Sequence, residues 1–522
     1  MKTLRDFDFK NKKVLVRCDF NVPLGKIGEI TDDFRIQQTI PTIRYLIEKG
    51  AKIILMSHLG EPGGRAVENL KLTPIQNKLK DLLKLQVPKA GDCIGRKIEE
   101  QTQKMKPGEV FLLENLRFHK GEEEADLNFT KELAKLGQIY INDAFGVCHR
   151  RHASIVGVPK YLPSGAGLLL EKEINVLSKV LKNPSRPLVA IIGGVKFSSK
   201  IKVIEQFLKT ADHLLLGGRI FEPLLQIKGI LVGRPWPEEK VIGQIQKINL
   251  TNPKIHLPVD SLVCLPNLEE GYSRKAGIGS IRKEEEIFDI GPETVKLFTD
   301  LIKTAKMIIW SGPLGNFERA PFDAGSKGIA EAIVRNHGAF KVAGGGDTDA
   351  FLAKYNFRDK FDHVSTGGGA MLEFLSGEKL PGIEAIRSAS CLGGPQNSHR
   401  GILLSPRSLF AFGETMAARC GCPSRHLPRL IIKIGHPISE KGREPRTFFS
   451  KSLGLWKDIR RSRLSVLIIC YRKPSEKKVR GLRSGVSRAQ SGSPKFAKRI
   501  WGDTSEACRD LTKYYHYGDK KS

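Results

Sequence analysis

The fold expected of this chain follows from residues 191–200, which read IIGGVKFSSK. The apolar run Leu188–Ile192 is typical of a buried strand, two glycines follow it, and apolar residues from Ile201 onward recur at helical spacing. This order predicts a strand, a glycine turn and a helix that carries Lys196 and Lys200 one turn apart, above free backbone N–H groups. The arrangement is the simplest form of a phosphate site, although solvated lysines on a surface helix would give the same pattern. The spacing does not fit a Walker A loop.

The length and composition of the chain indicate a multidomain α/β protein. A chain of 522 residues exceeds one ordinary domain, and 40% hydrophobic residues with 52 glycines suit an α/β fold. Nine cysteines in this length do not form a disulfide framework, which favours a reducing compartment. The first ten residues include Asp6 and Asp8 and lack the apolar centre of a signal peptide, and no run approaches the roughly 20 apolar residues of a membrane span. We therefore expect a soluble, cytoplasmic protein.

The formal charge of +30 is unevenly distributed along the chain. Residues 387–522 hold 29 Lys and Arg against 9 Asp and Glu, and the alternation of strands and helices stops near Ile386. One interpretation is a basic extension that binds nucleic acid through phosphates. The other is a disordered or poorly folded appendage, translated past a frameshift or a lost stop. Cys420, Cys422 and His426 hint at a metal site but lack a second ligand pair at zinc spacing.

Two series of predicted strands and helices divide the first three quarters of the chain, and strands alternating with helices argue for parallel sheets. The first series comprises strand Val14–Val16, helix Arg35–Lys49, strand Ile53–Met56, helix Pro74–Leu85, strand Val110–Leu113, helix Thr130–Leu136 and strand Gln138–Ile141. The second comprises strands Leu188–Ile192, Leu214–Leu216, Ile255–Leu257, Met307–Trp310, Phe340–Ala343 and His363–Ser365. Between them, Gly167–Lys182 reads as a helix with no obvious strand before it, and Pro184 and Pro187 mark a domain boundary. Most strands of the second series end in glycine, which suggests a ligand along their ends.

Polar residues that follow the first-series strands could form an anion site. They are Asp19, Asn21, Arg35, His58, Arg117 and Arg150. Several arginines in one cleft would grip a phosphate or a carboxylate, although each taken singly is also explained as a surface arginine. In the second series, Asp347 after three glycines is either a helix N-cap or a ligand of Mg²⁺ over a nucleotide phosphate. Glu318 either binds a ribose hydroxyl or is solvated.

Taken together, the motifs resemble one family, phosphoglycerate kinase. In the first half the matching stretches are Arg17–Pro23, Ser57–Gly60, Leu113–Phe118 and Asn142–Ser154. In the second half they are Gly193–Ile201, Leu257–Asp260, Asp289–Pro292, Trp310–Glu318, Gly344–Ala350, His363–Ala370 and Leu380–Gly382. They occur in the order of the family and cover the chain from Met1 to about Ile386. Each is weak alone, and the ordered set is specific.

The resemblance implies an α/β fold of two Rossmann-like domains with parallel sheets, joined by a helix and closing at a hinge. The implied parts are a phosphoglycerate-binding domain over 1–166, a connecting helix over 167–183, a nucleotide-binding domain over 184–375, a return segment over 376–387 and the atypical basic tail over 388–522. The implied activity is reversible phosphoryl transfer between 1,3-bisphosphoglycerate and ADP, which gives 3-phosphoglycerate and ATP. The resemblance also implies a monomer.

The resemblance carries over to individual residues. Those that match the substrate site are Asp19, Asn21, Arg35, His58, Leu59, Gly60, Glu61, Arg117 and Arg150. Those that match the nucleotide site are Lys196, Lys200, Gly312, Glu318, Gly345, Gly346, Asp347 and Thr348. Asp347 would be the ligand of Mg²⁺, and Gly367, Gly368 and Gly369 match a helix start that faces the transferred group. Arg35 and Lys200 would be catalytic. The acceptor carboxylate is already ionised at pH 7, so positioning and charge neutralisation are needed rather than a general base.

Three positions depart from the family pattern. Glu61 replaces the arginine of the usual S-H-L-G-R-P and reverses charge beside the substrate site, where Arg65 could compensate. Ser311 replaces the asparagine of W-N-G-P, and Arg219 stands where a third glycine is typical, so that it would crowd the adenine side or contact phosphate. Two functions therefore stay open: an active kinase with altered affinities, or a kinase-derived protein with weakened catalysis whose basic tail binds nucleic acid.

Overall fold

The computed structural model describes residues 1–230, 237–265 and 273–391, together with two short strands further on. The chain divides into two compact units, 1–399 and 400–522. The predictions for Cys420, Cys422 and His426, and for the state of the tail as a whole, lie outside the described residues.

The first sheet has five strands, all parallel, in the order β3-β2-β1-β4-β5. Its strands are β1 (Lys13–Arg17), β2 (Lys52–Met56), β3 (Val110–Leu112), β4 (Ile139–Asn142) and β5 (Ser164–Ala166). The helices of this part are α1 (Phe34–Glu48), α2 (Thr73–Leu83), α3 (Arg96–Gln103), α4 (Lys120–Glu123) and α5 (Leu127–Lys135). We call this part, residues 1–166, the N-terminal lobe. The strands read as continuous apolar runs because helices cover both faces of a parallel sheet.

Helix α1 shows how the sequence sets these elements. Ile36, Ile40 and Ile43 recur at helical spacing, and all three are buried against the sheet. The helix stops before Gly50, which adopts a left-handed φ of 68° and donates its N–H to the carbonyl of Ile47 at 2.9 Å. The carboxyl end of α1 is thereby fixed, and its first turn is left facing the edge of the sheet where β1 ends.

The second sheet has six parallel strands in the order β14-β13-β12-β6-β7-β8. Its strands are β6 (Leu188–Ile192), β7 (His213–Leu216), β8 (Ile255–His256), β12 (Met307–Ser311), β13 (Phe340–Gly344) and β14 (His363–Ser365). A separate antiparallel sheet is formed by β9 (Asp260–Cys264), β10 (Arg274–Gly277) and β11 (Glu286–Ile290). The helices are α7 (Ile201–Thr210), α8 (Glu222–Ile227), α9 (Glu239–Ile245), α10 (Pro292–Thr304), α11 (Ala324–Arg335), α12 (Gly346–Lys354) and α13 (Gly368–Leu375). We call residues 188–375 the C-terminal lobe.

The connecting helix α6 (Leu168–Lys182) joins the two lobes. Asp143, just after β4, accepts the N–H groups of Leu169 at 2.9 Å and Leu170 at 3.3 Å. Further along α6, Glu173 accepts the N–H of Thr366 at 2.7 Å and bonds to Nε2 of His363 at 2.8 Å. Buried carboxylates therefore tie the helix to both sheets.

The predicted α/β class with parallel sheets is confirmed, and two details were wrong. Strand β5 does precede the connecting helix, but its residues Ser164, Gly165 and Ala166 carry no apolar run that could signal it. The antiparallel sheet of β9 to β11 was missed because only parallel alternation was expected. Helix α14 (Pro381–Cys391) then returns to the N-terminal lobe, where Gly382 donates its N–H to the carbonyl of Cys148 at 2.9 Å.

In the second unit, the structure describes a parallel pair, β15 (Leu430–Ile434) and β16 (Val466–Cys470). Across the described residues, no helix combines the length and the apolar character needed to cross a bilayer. The four cysteines of the first 391 residues whose side chains are described are buried and have free thiols; they are Cys18, Cys93, Cys148 and Cys264.

Candidate active site

The first candidate cleft lies where the strand order of the N-terminal sheet reverses, between β1 and β4. In open parallel sheets this reversal leaves a crevice at the carboxyl ends of the strands. Asp19 and Asn21 follow β1, and Arg35 lies in the first turn of α1 above them. Arg35 Nη1 donates to the carbonyl of Asn21 at 3.0 Å and lies 3.4 Å from Asp19 Oδ2. The structure therefore brings these three predicted residues together.

A second group of predicted residues closes the same cleft. The side chain of Asn21 accepts the N–H of Gly60 at 2.9 Å, and Arg117 Nη1 donates to the carbonyl of Gly60 at 2.8 Å. Burial lowers the pKa of Arg117, and its Nε has no hydrogen-bond partner among the described residues, although Glu123 lies 3.3 Å away. A buried guanidinium with an unused donor is suited to an anionic ligand.

His58 is buried behind these groups, and its neighbour Arg17 was not among the predicted site residues. His58 Nδ1 lies 3.2 Å from Arg17 Nη2. Burial, together with Arg17, Arg117 and Arg35, holds the pKa of His58 well below 6.5, so the ring is neutral at pH 7. Arg17 has no solvent exposure and donates from Nε to Ser154 at 2.8 Å. Its guanidinium therefore lies beneath the cleft, where the equally buried Glu122 is 3.9 Å from Nη2.

Two histidines of the motif after β4 also face the cleft. Burial, with Arg150 as the next cause, lowers the pKa of His149; burial, with Arg117 next, lowers that of His152 to about 4. In both rings Nδ1 is buried without a hydrogen-bond partner among the described residues. Arg150 itself is exposed at the rim.

Glu61 lies at the mouth of the cleft, as its place in the motif predicts. Its carboxylate is 3.9 Å from Arg117 Nη1, and its side chain is 86% exposed. Leu59, by contrast, is buried, and its N–H donates to the side chain of Asn115 at 3.2 Å. Arg65 is exposed on the same loop. The unfavourable charge is thus adjacent to the cleft but well solvated.

The second candidate cleft lies where the strand order of the C-terminal sheet reverses, between β6 and β12. The turns after these strands pack backbone to backbone: Gly193 donates its N–H to the carbonyl of Ser311 and Gly194 to that of Pro313, both at 2.9 Å. A Cβ on Gly193 would overlap the carbonyl oxygens of Gly312 and Pro313. The double glycine is therefore required for the two turns to meet and form the floor of the cleft.

The two lysines of residues 191–200 do not share a helix, so that part of the prediction was wrong. Lys196 has extended backbone and is exposed ahead of a short 3₁₀ turn, whereas Lys200 caps the start of α7. Lys200 Nζ donates to Ser311 Oγ at 3.1 Å. Burial lowers the pKa of Lys200 from 10.5 to about 8, against the opposing effect of Asp347. Ser311 thus anchors the ammonium group of Lys200.

Two helix starts point into the same pocket. Helix α12 begins after Gly345, and helix α13 begins after Gly367. Gly346, at the start of α12, and Gly368, at the start of α13, both line a pocket with Lys196 and Lys200, which we call the phosphate pocket. Helix N-termini attract anions because their first N–H groups lack internal partners.

Asp347 is the second residue of α12 rather than its N-cap, which is Gly345, so the capping interpretation was wrong. Its carboxylate is exposed at the rim of the pocket. Thr348 is buried instead, and its hydroxyl accepts the N–H of Gly312 at 2.7 Å. Thr348 therefore fixes α12 against the turn after β12.

A neighbouring pocket of about 360 Å³ shares Gly194, Val195 and Asp347 with the phosphate pocket and extends away from Lys196 and Lys200. We call it the nucleoside pocket; its remaining lining is Gly218, Arg219, Ile287, Phe288, Pro313, Gly315, Asn316, Phe317 and Glu318. Glu318 is exposed at its edge. An apolar wall beside an exposed carboxylate suits a base and a ribose. Arg219 lines this pocket and is not among the residues that line the phosphate pocket.

Another group of possible metal ligands lies in the N-terminal lobe, away from these clefts. Asp92, Cys93 and His119 have ligand atoms within 4.8 Å of one another. Asp92 Oδ1 is already bonded to His119 Nε2 at 2.6 Å and to the N–H of Cys93 at 2.6 Å. The group is therefore satisfied internally.

One crevice rich in arginine and another built from helix starts and lysines are what a two-lobed α/β phosphotransferase requires. Residues 4–378 match the family model described as phosphoglycerate kinase. A phosphoglycerate kinase of Dictyoglomus turgidum is 45% identical over 388 residues, which is 74% of this chain and 98% of that protein. The chain belongs to the phosphoglycerate kinase family.

Solved structures agree with this assignment. The phosphoglycerate kinase of Coxiella burnetii matches with a TM-score of 0.65 at 36% identity, and that of Pyrococcus horikoshii with 0.66 at 34%. Each match covers 74% of this chain and 99% of the other. The resemblance in the motifs is confirmed. The enzyme transfers a phosphoryl group between 1,3-bisphosphoglycerate and ADP, with a carboxyl group as the acceptor in the reverse direction.

Proposed function

We propose that the N-terminal cleft binds the phosphoglycerate and the C-terminal cleft binds the magnesium nucleotide, so that the phosphoryl group crosses between the lobes. One observation carries this proposal. The start of α13 lines the phosphate pocket and also contacts the other lobe, since a Cβ on Gly369 would lie 3.4 Å from His149 Nε2. A phosphoryl group leaving Lys200 would therefore meet the start of this helix on its way to the arginine cleft.

In this proposal the N-terminal cleft holds 3-phosphoglycerate through charge. Arg35, Arg117 and Arg150 supply guanidinium groups that can bind phosphate or carboxylate in a bidentate manner. Arg117 Nε and Nδ1 of His149 and His152 are buried without a hydrogen bond among the described residues, although Glu123 lies 3.3 Å from Arg117 Nε and Glu122 lies 3.9 Å from His152 Nδ1. Polar groups left over in this way support a polar ligand in the cleft. Asp19 and Asn21 hold Arg35 and Gly60 in place, and His58, neutral at pH 7, can accept or donate a hydrogen bond.

The nucleotide would lie across the two pockets of the C-terminal lobe. Its base and ribose would fill the nucleoside pocket, with Glu318 accepting from a ribose hydroxyl. Asp347 suits Mg²⁺, because a hard, exposed carboxylate at the rim of a phosphate pocket is the ligand that this ion prefers. When bound, the ion neutralises charge on the nucleotide phosphates. Lys196 and the N–H groups at the starts of α12 and α13 would hold the outer phosphates.

Transfer then requires no general base, because the acceptor carboxylate is ionised at pH 7. Lys200 from one lobe and Arg35 from the other would neutralise the oxygens of the group in flight. The lowered pKa of Lys200 supports this role, since a partly dehydrated ammonium gains most when an anion arrives. Closure of the lobes about α6 would exclude water and prevent hydrolysis of ATP.

The same proposal includes the division into domains. We assign phosphoglycerate binding to 1–166, the connecting helix to 167–183, nucleotide binding to 184–375 and the return segment to 376–387, with the enzyme acting as a monomer. Asp143 and Glu173 support a hinge at α6, because they bind this helix to both lobes.

The test separates the two lysines. Lys200→Ala should lower kcat about 10²- to 10³-fold with little change in the Kd for ATP, because a donor aimed at the moving charge is lost. The matched variant Lys196→Ala should weaken nucleotide binding and leave kcat at saturation within a few-fold. Coupled steady-state assays give kcat and calorimetry gives Kd. A loss confined to ATP affinity in Lys200→Ala would overturn the assignment.

A further inference from the structure

Arg219 places a positive charge in the wall of the nucleoside pocket. It follows β7 in the turn Gly218–Phe221, and its backbone N–H donates to the carbonyl of Gly194 at 2.9 Å. Among the described residues that line this pocket, it is the one with a cationic side chain.

Two carboxylates fix the direction of the guanidinium. Arg219 Nε lies 3.4 Å from Glu222 Oε1, and Nη1 lies 3.4 Å from Glu286 Oε2. The side chain remains 45% exposed. A guanidinium has five N–H donors in one plane, and the two ion pairs through Nε and Nη1 use only some of them. The group is therefore held in place with donors available to a ligand.

The position of Glu286 shows which end of the nucleotide Arg219 would meet. Glu286 directly precedes Ile287 and Phe288 on β11, and these two side chains form part of the apolar wall. Lys196 and Lys200 line the other pocket, toward the helix starts. Arg219 therefore lies at the base end and not at the phosphate end.

6-Oxopurines and adenine present different edges to a guanidinium. Guanine and hypoxanthine offer two acceptors, O6 and N7, which match the paired donors of arginine, whereas adenine offers N7 beside an amino group that is itself a donor. An arginine at the base edge favours the first pattern and opposes the second. We propose that Arg219 is a specificity-determining residue that shifts the nucleotide preference of this kinase toward 6-oxopurine nucleotides.

The inference rests on the proposed nucleotide site, and the experiment is arranged to separate the two. With 3-phosphoglycerate saturating, kcat/KM is measured for the magnesium complexes of ATP, GTP and ITP. In the wild-type chain GTP and ITP should reach kcat/KM within about tenfold of ATP. In Arg219→Gly and Arg219→Met the ratio of GTP to ATP should fall at least tenfold, because a bidentate pair is lost. ITP should follow GTP, since it shares the 6-oxo group and lacks the 2-amino group.

Arg335→Met is the control, because Arg335 forms an exposed ion pair with Glu331 at 2.9 Å on α11, and its ratio should equal that of the wild type. Arg219→Lys keeps the charge without the paired donors, so its ratio of GTP to ATP should fall as well. It replaces Arg219→Gly as the test if Arg219→Gly folds poorly. An unchanged ratio in the Arg219 variants, or ITP behaving as ATP does, would overturn the inference. Calorimetric Kd values for ADP, GDP and IDP give the preference for 6-oxopurine over adenine nucleotides without turnover. A failure of catalysis would therefore count against the proposed function alone.

Discussion

Replacing Lys200 with methionine should make the ligand-free protein more stable and nearly inactive. The pKa of Lys200 falls from 10.5 to about 8 on burial, and at about 1.4 kcal/mol per pKa unit its charge costs at most about 3.5 kcal/mol. Residual contact with solvent and the lost hydrogen bond to Ser311, worth about 1 kcal/mol, reduce the gain to about 1–2 kcal/mol. For a lobe of this size that is a rise in Tm of about 2–8 °C at pH 7.

The sign of the effect depends on pH. The folded pKa of Lys200 lies below the unfolded one, so the penalty is fully present below pH 8 and disappears as the pH rises from about 8 to 10.5. Between these pH values Lys200 releases its proton when the wild type folds, so the stability of the wild type rises with pH. The methionine variant has no such proton, so Lys200 adds no pH dependence to its stability. The difference in Tm between the two should therefore shrink between pH 7 and pH 10.

Differential scanning fluorimetry of the ligand-free chains at pH 7 and pH 10 measures this difference. Lys196→Met is the matched control, because Lys196 is exposed and its replacement should leave Tm unchanged. Coupled assays should show kcat of Lys200→Met reduced at least 100-fold. A lower Tm at pH 7, or a gain that persists at pH 10, would refute the claim that Lys200 is held charged at a cost in stability.

Three further changes test neighbouring contacts. Glu61→Arg should lower the KM for 3-phosphoglycerate about two- to fivefold, less at high salt, because exposed charges interact by about 0–1 kcal/mol; a salt-independent or absent change would contradict this. Ser311→Ala should lower kcat about fivefold with an unchanged Kd for ATP, since the hydroxyl positions Lys200; a change in Kd alone would contradict it. Arg358→Met removes a contact between the lobes, in which Arg358 Nη1 donates to Asp32 Oδ1 at 3.0 Å. The radius of gyration of the ligand-free chain, measured by X-ray scattering, should therefore increase. Identical scattering would show that the contact does not hold the lobes together.

Much of the fold could be predicted because local patterns and tertiary environment agree. The strand Leu188–Ile192 was predicted to the residue, since a run of β-branched and apolar side chains between turn residues has one good environment, a buried parallel strand. The position of site residues after strands also followed from sequence, because parallel strands place their carboxyl ends at one edge. That rule places Asp19 and Gly193 at the crevices, where the strand order of each sheet reverses.

Other features depend on contacts that no local pattern encodes. Lys196 and Lys200 have helical spacing, but the chain uses a 3₁₀ turn between them because the glycine turn must first pack against the turn after β12. Arg17 was missed because it follows the predicted strand Val14–Val16 and the sequence gives no sign that it is buried; only the fold shows it beneath the cleft beside His58. The anchoring of Lys200 by Ser311 joins residues 111 positions apart, which spacing cannot show.

The claim that the two clefts act together as a phosphotransferase is tested most directly by turnover of the full chain. With 3-phosphoglycerate, ATP and Mg²⁺ all saturating, we expect phosphoglycerate-dependent formation of ADP at about 1–100 s⁻¹, the usual range for kinases. Binding of both ligands without phosphoglycerate-dependent ADP formation would contradict the account.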